Sequence, residues 1–258
     1  MCDRSAAEGK NPPDDTVLSP ELLESAMTRT AVIAGVGSGL GASIARRFLE
    51  EGCQVGLFAR SESYLTELST ELGEDALAVP TDITDPAAVE AGFEAVRSAF
   101  GPVDVLVNHA SGGAWDGVQE ISPTAFEEAW RVSAYGGLLC SQAAVSDMLA
   151  EDGGTIIFTG ATSAVRGRDG AVGFSAAKFA VRGMAESMAR ELGPEGIHVA
   201  HVVIDGQILP SGGATGTERG EQEFLDPDAI ADSYWHLVTQ ERSSWTLELD
   251  LRPHVEEF

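Results

Sequence analysis

The 258-residue chain carries 16 basic and 41 acidic side chains, a formal charge of −25, with 43% hydrophobic residues and three cysteines. That length buries one sizeable core, so a single domain is expected, and so acidic a surface repels nucleic acid and anionic membrane, leaving a small-molecule substrate as the expected partner. Cys2, Cys53 and Cys140 are too scattered for a disulfide framework or a zinc site, no apolar run reaches the roughly 18 residues of a membrane span, and the N-terminus lacks the order of a secretory signal, so a soluble cytoplasmic protein without a metal is expected.

Lysine occurs only at Lys10 and Lys178. An acidic, lysine-poor surface resembles that of proteins from high-salt cytoplasm, where a short Debye length screens self-repulsion, and salt adaptation is the expectation here.

Residues 1–28 are polar, hold Pro12, Pro13 and Pro20 and show no periodicity, which predicts a mobile arm ahead of a domain spanning 29–258. Short β-rich runs then alternate with helical patterns. The strands are predicted at 30–35, 54–59, 76–82, 103–110, 154–160, 198–204 and, more weakly, 244–251. Helical spacing of apolar residues runs through 40–52, 64–73, 86–101, 122–149 and 173–192. This alternation predicts an α/β domain with a doubly wound, Rossmann-type sheet of seven parallel strands and helices on both faces. Residues 207–226, rich in small and polar side chains, break the rhythm and read as a lid over a site or as a solvated loop.

The first strand runs into "AGVGSGLG", with Gly35, Gly39 and Gly41 spaced three and one residues apart and a helical pattern following at once. Glycines there permit a tight turn and close backbone approach to a pyrophosphate, and the helix N-terminus offers free N–H groups to the anion. The stretch Gly35, Gly37, Ser38, Gly39, Leu40, Gly41 is therefore the candidate phosphate turn, a strong signal because of its place after the first strand of an alternating chain. Strand two ends in "LFARSES". Ala59 stands where a dinucleotide site selective for NAD carries an acid, and Arg60 can meet a 2′-phosphate with two parallel bonds, so NADP(H) is favoured over NAD(H).

With these motifs the chain from about Arg29 to Phe258 resembles the short-chain dehydrogenase/reductase family. Gly35-x-x-x-Gly39-x-Gly41 matches that family's cofactor turn, "TDITD" with Asp82 its acid after strand three, and "NHAS" from Asn108 its Asn-Asn-Ala-Gly motif, with His109 and Ser111 departing from it. The resemblance implies that Asp82, with Ile83 beside it, caps the adenine amino group and that the residues after Asn108, Ala110 among them, line the adenosine ribose. His109 reads as a structural residue, with a role as an acid the alternative.

The same resemblance sets four catalytic positions: a Tyr four residues before a Lys, a Ser thirteen residues before the Tyr, and an Asn in the helix after strand four. Here "FSAAK" supplies Lys178 but places Phe174 at the Tyr position, Ala161 at the Ser position and Ser133 at the Asn position. Losing a positioned general acid costs about 10²–10⁴-fold and losing an oxyanion donor about a further 10²–10³-fold, so ordinary ketone reduction should be nearly abolished. Thr162, Ser163, Tyr135 and Asp205 are candidate substitutes. Tyr135, two residues and about 200° from Ser133, is expected to face a neighbouring helix instead. Arg166, Arg168 and Asp169 either hold an acidic group of a ligand or form a solvated turn. Lys178 retains a use in the family, because it also contacts the nicotinamide ribose. The C-terminal "SSWTLELDLRPHVEEF" resembles a branch of the family with Phe at the Tyr position.

Three functions remain open: an NADP(H)-dependent oxidoreductase with altered proton chemistry, for example on a conjugated C=C bond, a cofactor-binding protein without turnover, or a non-redox enzyme reusing the pocket. The resemblance further implies a homodimer or homotetramer through segments 122–149 and 173–192, which are rich in small residues.

Overall fold

A computed structural model describes residues 28–211 and 220–256, leaving the predicted arm up to residue 27 and residues 212–219 of the predicted lid outside the described residues. The strands are β1 (Thr30–Ala34), β2 (Gln54–Ala59), β3 (Ala76–Pro80), β4 (Val105–Asn108), β5 (Gly154–Thr159), β6 (Ile197–Ile204), β7 (Gln207–Ile208), β8 (Phe224–Leu225) and β9 (Glu248–Leu251). The helices are α1 (Leu40–Glu50), α2 (Glu62–Leu72), α3 (Pro86–Phe100), α4 (Pro123–Trp130), α5 (Gly136–Ala150), α6 (Val172–Leu192) and α7 (Pro227–Val238). Seven strands form one parallel sheet in the order β3-β2-β1-β4-β5-β6-β9. The order reverses between β1 and β4, and that reversal opens a crevice at the C-terminal ends of the strands.

Period-two alternation explains why the strands read as continuous apolar runs. In β1, Ala31 and Ile33 enter the core beneath α1 and α7, whereas Val32 and Ala34 enter the core beneath α3, α5 and α6. Among the described residues no helix is long and apolar enough to cross a membrane.

Three elements differ from the sequence reading. The helix expected over 122–149 is two helices joined by a π-turn at Arg131–Tyr135. There the missing Cβ of Gly136 lets the chain lie on Ile83, since an added Cβ would sit 2.7 Å from its side chain. Helix α7 escaped the sequence reading although its start is well marked: the Asp226 carboxylate accepts from the Asp228 N–H at 2.9 Å, Pro227 occupies the first turn, and Ile230, Ala231, Tyr234, Leu237 and Val238 repeat at helical spacing. Its Asp232 meets Arg47 of α1 at 2.7 Å. The last sheet strand is short, Glu248–Leu251, and the start of the predicted lid forms a two-residue parallel pair, β7 with β8.

Candidate active site

The turn between β1 and α1 is fixed by backbone geometry. Gly35 adopts φ +108°, and a Cβ there would lie 2.4 Å from the Ala110 nitrogen, so glycine alone fits. The N–H groups of Gly35 and Val36 both donate to the Phe58 carbonyl at 2.9 Å, which ties the turn to the end of β2. A Cβ on Gly41 would meet Val36 Cα at 3.0 Å, so this glycine lets α1 start close against the strand. Gly37 and Gly39 face open space, and the N-terminus of α1 has no side-chain cap. An uncapped helix start beneath an open glycine turn is what a dinucleotide pyrophosphate requires, so the residues present fit the cofactor. Ser38 offers its carbonyl to the Ser211 hydroxyl, and Leu40 is buried beneath the turn.

A cavity of about 700 Å³ opens from this turn and is lined by Gly35, Gly37, Arg60, Asp82, Ile83 and Ala110 of the candidate set. One Asp82 carboxylate oxygen accepts from the Thr84 N–H at 2.9 Å and the Thr84 hydroxyl at 2.8 Å. Those hydrogen bonds, led by the backbone one and helped by the charges of Arg60 and Arg131, hold its carboxyl below the usual range. Arg131, which the sequence reading passed over, lines the same cavity with Glu127 and Glu128. Asn108 lies under the cavity floor rather than in it: it is buried and its amide donates to the Ser141 hydroxyl at 3.1 Å.

A second cavity of about 660 Å³ meets the first at His109 and Ser111, and Phe174, Ala161 and Lys178 line it. Phe174 is 8% exposed in the first turn of α6, with its ring stacked on Trp115 at a centroid distance of 4.3 Å and an interplanar angle of 28°. Lys178, one turn on and 3% exposed, donates from Nζ to the Thr159 carbonyl at 2.8 Å and lies 5.6 Å from the Phe174 ring centroid. Burial pushes its ammonium down to about 8. His109 Nδ1 stands 3.1 Å from the Thr159 hydroxyl, which stands 2.8 Å from the Tyr234 hydroxyl. Burial first, and then the charge of Lys178, push the imidazole down to about 4, so it is neutral near pH 7.

Ser133 lies outside this cavity: its hydroxyl accepts the Gly112 N–H at 3.1 Å, holding the loop after β4. Of the candidate proton donors, Tyr135 lies on neither cavity. A π-turn brings residues five apart onto one side, so its ring stacks on Trp130, with the Arg131 guanidinium 5.4 Å from it. Asp205 is held as an anchor: it accepts from Thr162 at 2.5 Å and pairs with Arg166 at 3.4 Å and Arg252 at 3.3 Å. Ser163 is buried in the wall beside Ala161, and its hydroxyl has no partner among the described residues. Trp115, in a loop without regular structure, is the wall residue no sequence pattern announced.

Residues 29–209 match the family model described as short chain dehydrogenase. Among solved structures, a short-chain dehydrogenase from Rhodopseudomonas palustris is 32% identical with a TM-score of 0.77, the match covering 88% of this chain and 100% of that one. A 3-ketoacyl-(acyl-carrier-protein) reductase from Brucella melitensis complexed with NADH is 28% identical with a TM-score of 0.79, covering 88% of this chain and 97% of that one. L-sorbose reductase from Gluconobacter frateurii, complexed with NADPH and L-sorbose, is 26% identical with a TM-score of 0.78, covering 87% of this chain and 95% of that one. With the glycine turn, the strand order and a family match over most of its length, this chain belongs to the short-chain dehydrogenase family, an oxidoreductase family in which the two reductases above are complexed with NADH and NADPH.

Proposed function

We propose that the protein is an NADP(H)-dependent oxidoreductase acting on a small organic substrate by a route that does not use a tyrosine hydroxyl, with reduction of a conjugated C=C bond as its reaction class. The observation that carries this reading is the contrast between a complete cofactor turn and two positions of the second cavity that offer only carbon: a phenyl ring and a methyl group stand where ketone reduction needs two hydroxyls. When bound, NADP(H) supplies hydride to carbon. The N–H groups at the start of α1 hold the pyrophosphate, Asp82 takes the adenine amino group, and Lys178 Nζ holds the nicotinamide ribose. Phe174 and Trp115 form a flat wall that excludes water from one side of the substrate. The proton for the second carbon comes from water or from Lys178 Nζ, which burial has brought near neutrality. Cofactor binding without turnover is the second reading, favoured by the same loss of hydroxyls. Equilibrium binding of NADPH followed by a screen of conjugated acids, ketones and enones for loss of NADPH absorbance decides between them: binding with no turnover on any member sinks the oxidoreductase.

Preference for the 2′-phosphate rests on Arg60, exposed at the lip of the first cavity with Ala59 beside it. Arg60→Ala should weaken NADPH about tenfold and leave NADH within about twofold, and equal losses would remove the basis for the preference. Assembly as a homodimer or homotetramer is supported by the exposed aromatics Phe126 and Trp130 of α4 and Phe179 of α6. Of the small residues of the same segments, Gly136, Ala144 and Ala177 are buried in the chain's own core, while Gly183 is exposed and Ala143, Ala176 and Ala180 are partly so, next to these aromatics. Salt adaptation is proposed from the charge of −25 together with the scarcity of lysine. A melting temperature that fails to rise between low and molar salt removes that proposal.

A further inference from the structure

We propose that the second cavity takes a planar carboxylate, an aromatic or conjugated carboxylic acid, with its flat body against Trp115 and its carboxylate on Arg168. This deepens the oxidoreductase reading and rests on it for placing the substrate beside the cofactor. The first observation is one of charge. The protein has 41 acidic side chains against 16 basic ones, yet among the described residues lining this cavity the charged groups are Arg168 and Lys178, with no aspartate or glutamate. A cationic hollow in so acidic a surface focuses field lines on anions and holds them there.

The neighbouring charges leave Arg168 available. Asp205 and Glu256 line a smaller adjoining cavity of about 180 Å³ together with Arg168; both oxygens of Asp205 are engaged, Thr162 and Arg166 meeting one and Arg252 the other, and neither carboxylate pairs with Arg168 among the described residues. Arg168 lines both cavities, and its guanidinium makes no ion pair among the described residues. Its backbone N–H donates to the Ser175 hydroxyl at 3.3 Å, which ties the arginine's stretch of loop to the first turns of α6, next to Phe174. Lys178 is engaged with the Thr159 carbonyl and faces the ribose position, so the arginine is the cation left for a substrate.

Shape supplies the second half. Trp115 stacks on Phe174 and is 59% exposed, so the Phe174 ring backs the indole while the rest of the indole stays accessible. Ile204 and Ile208 stand among the other lining groups, and Ala161 adds only a methyl. A flat aromatic wall with aliphatic groups, hydroxyls of Thr162 and Ser163 among the lining residues and one forked cation suit a flat anion, since guanidinium and carboxylate pair through two parallel bonds.

Equilibrium dialysis of the full chain with cinnamate and with cinnamamide tests the class, with benzoate and benzamide as a shorter pair, each with and without NADP⁺. Each acid is expected to bind at least about tenfold more tightly than its amide, and Arg168→Gln to abolish that ratio. Trp115→Ala should weaken acid and amide alike. Equal binding of acid and amide, or no binding of either, overturns the proposal, as does an Arg168→Gln protein that keeps the preference. A parallel loss of NADP⁺ affinity in Arg168→Gln also overturns it, because the arginine would then serve the cofactor. Failure of NADP⁺ to bind the unaltered chain counts against the cofactor reading, while the acid-to-amide ratio still decides the substrate class.

Discussion

The two cavities that meet at His109 are held to their residues by different forces. In the first, residue identity follows from backbone geometry: at Gly35 any side chain collides with Ala110, and at Gly41 any side chain presses on Val36. In the second, Phe174 and Ala161 stand on the wall at ordinary backbone angles, so packing rather than chain geometry sets them. Phe174 stacks its ring on Trp115, and Ser133, outside both cavities, accepts the Gly112 N–H. A position fixed by a backbone angle admits one residue type, whereas a position set by packing admits others of fitting volume.

The largest effect should come from restoring chemistry to a wall that already has the volume for it. Phe174→Tyr combined with Ala161→Ser returns a general acid and an oxygen-binding donor beside Lys178. Ketone reduction by the double variant, followed as NADPH absorbance, should exceed that of the unaltered protein by about 10²–10⁴-fold, with either single change giving less. Brisk ketone reduction by the unaltered protein would show that a group other than the missing tyrosine does the work, and the contrast between the cavities would collapse.

Much of the first cavity was legible in the sequence for the same reason that it is rigid. A positive φ at Gly35 and a close helix start at Gly41 leave a fixed glycine spacing, and a spacing can be read. The sheet was legible because two-sided burial fills each central strand with apolar and β-branched residues, as in β1 and, around His198 and His201, in β6. Trp115 was illegible: it reaches Phe174 across 59 residues from a loop with no periodicity, so nothing local marks it. Arg131 hid among helix-surface residues, because only the fold brings the start of the π-turn to the rim of the cofactor cavity. The stacking of Tyr135 on Trp130 was illegible, because uninterrupted α-helical spacing hides the π-turn that brings the two rings together. Helix α7 is marked by Asp226-Pro227, but the irregular stretch 207–226 separates it from the alternating strand and helix pattern.

A smaller effect separates space for a ligand from space for the fold. Gly35→Ala places a methyl 2.4 Å from the Ala110 nitrogen at a backbone angle unfavourable to any side chain, and should destabilise the protein by about 3 kcal/mol or more in urea unfolding. Gly37→Ala meets nothing within 4 Å and should leave stability within about 0.5 kcal/mol while weakening NADPH, because its methyl enters the open turn. Equal stability losses in the two variants would mean that the turn is shaped by something other than the clash at Gly35.

The smallest effect concerns His109, where the cavities meet. Its imidazole titrates near 4 in the fold against an ordinary 6.5, because burial and the Lys178 ammonium oppose its charge. A group whose folded value is depressed binds fewer protons folded than unfolded between those two values. Its stabilising effect is complete above about pH 6.5 and declines as the pH falls towards 4, by roughly 2–3 kcal/mol in total. Lys178, at about 8, is protonated across that window and contributes no slope of its own there. Replacing the ring by an amide, in His109→Asn, keeps a polar partner for the Thr159 hydroxyl and removes the titration, so unfolding free energies measured from pH 7.5 to 4.5 should fall less steeply in the variant. Identical slopes in the two proteins would mean that the imidazole takes up its proton in the folded state as readily as in the unfolded one, and that the junction of the two cavities is wetter than its burial indicates.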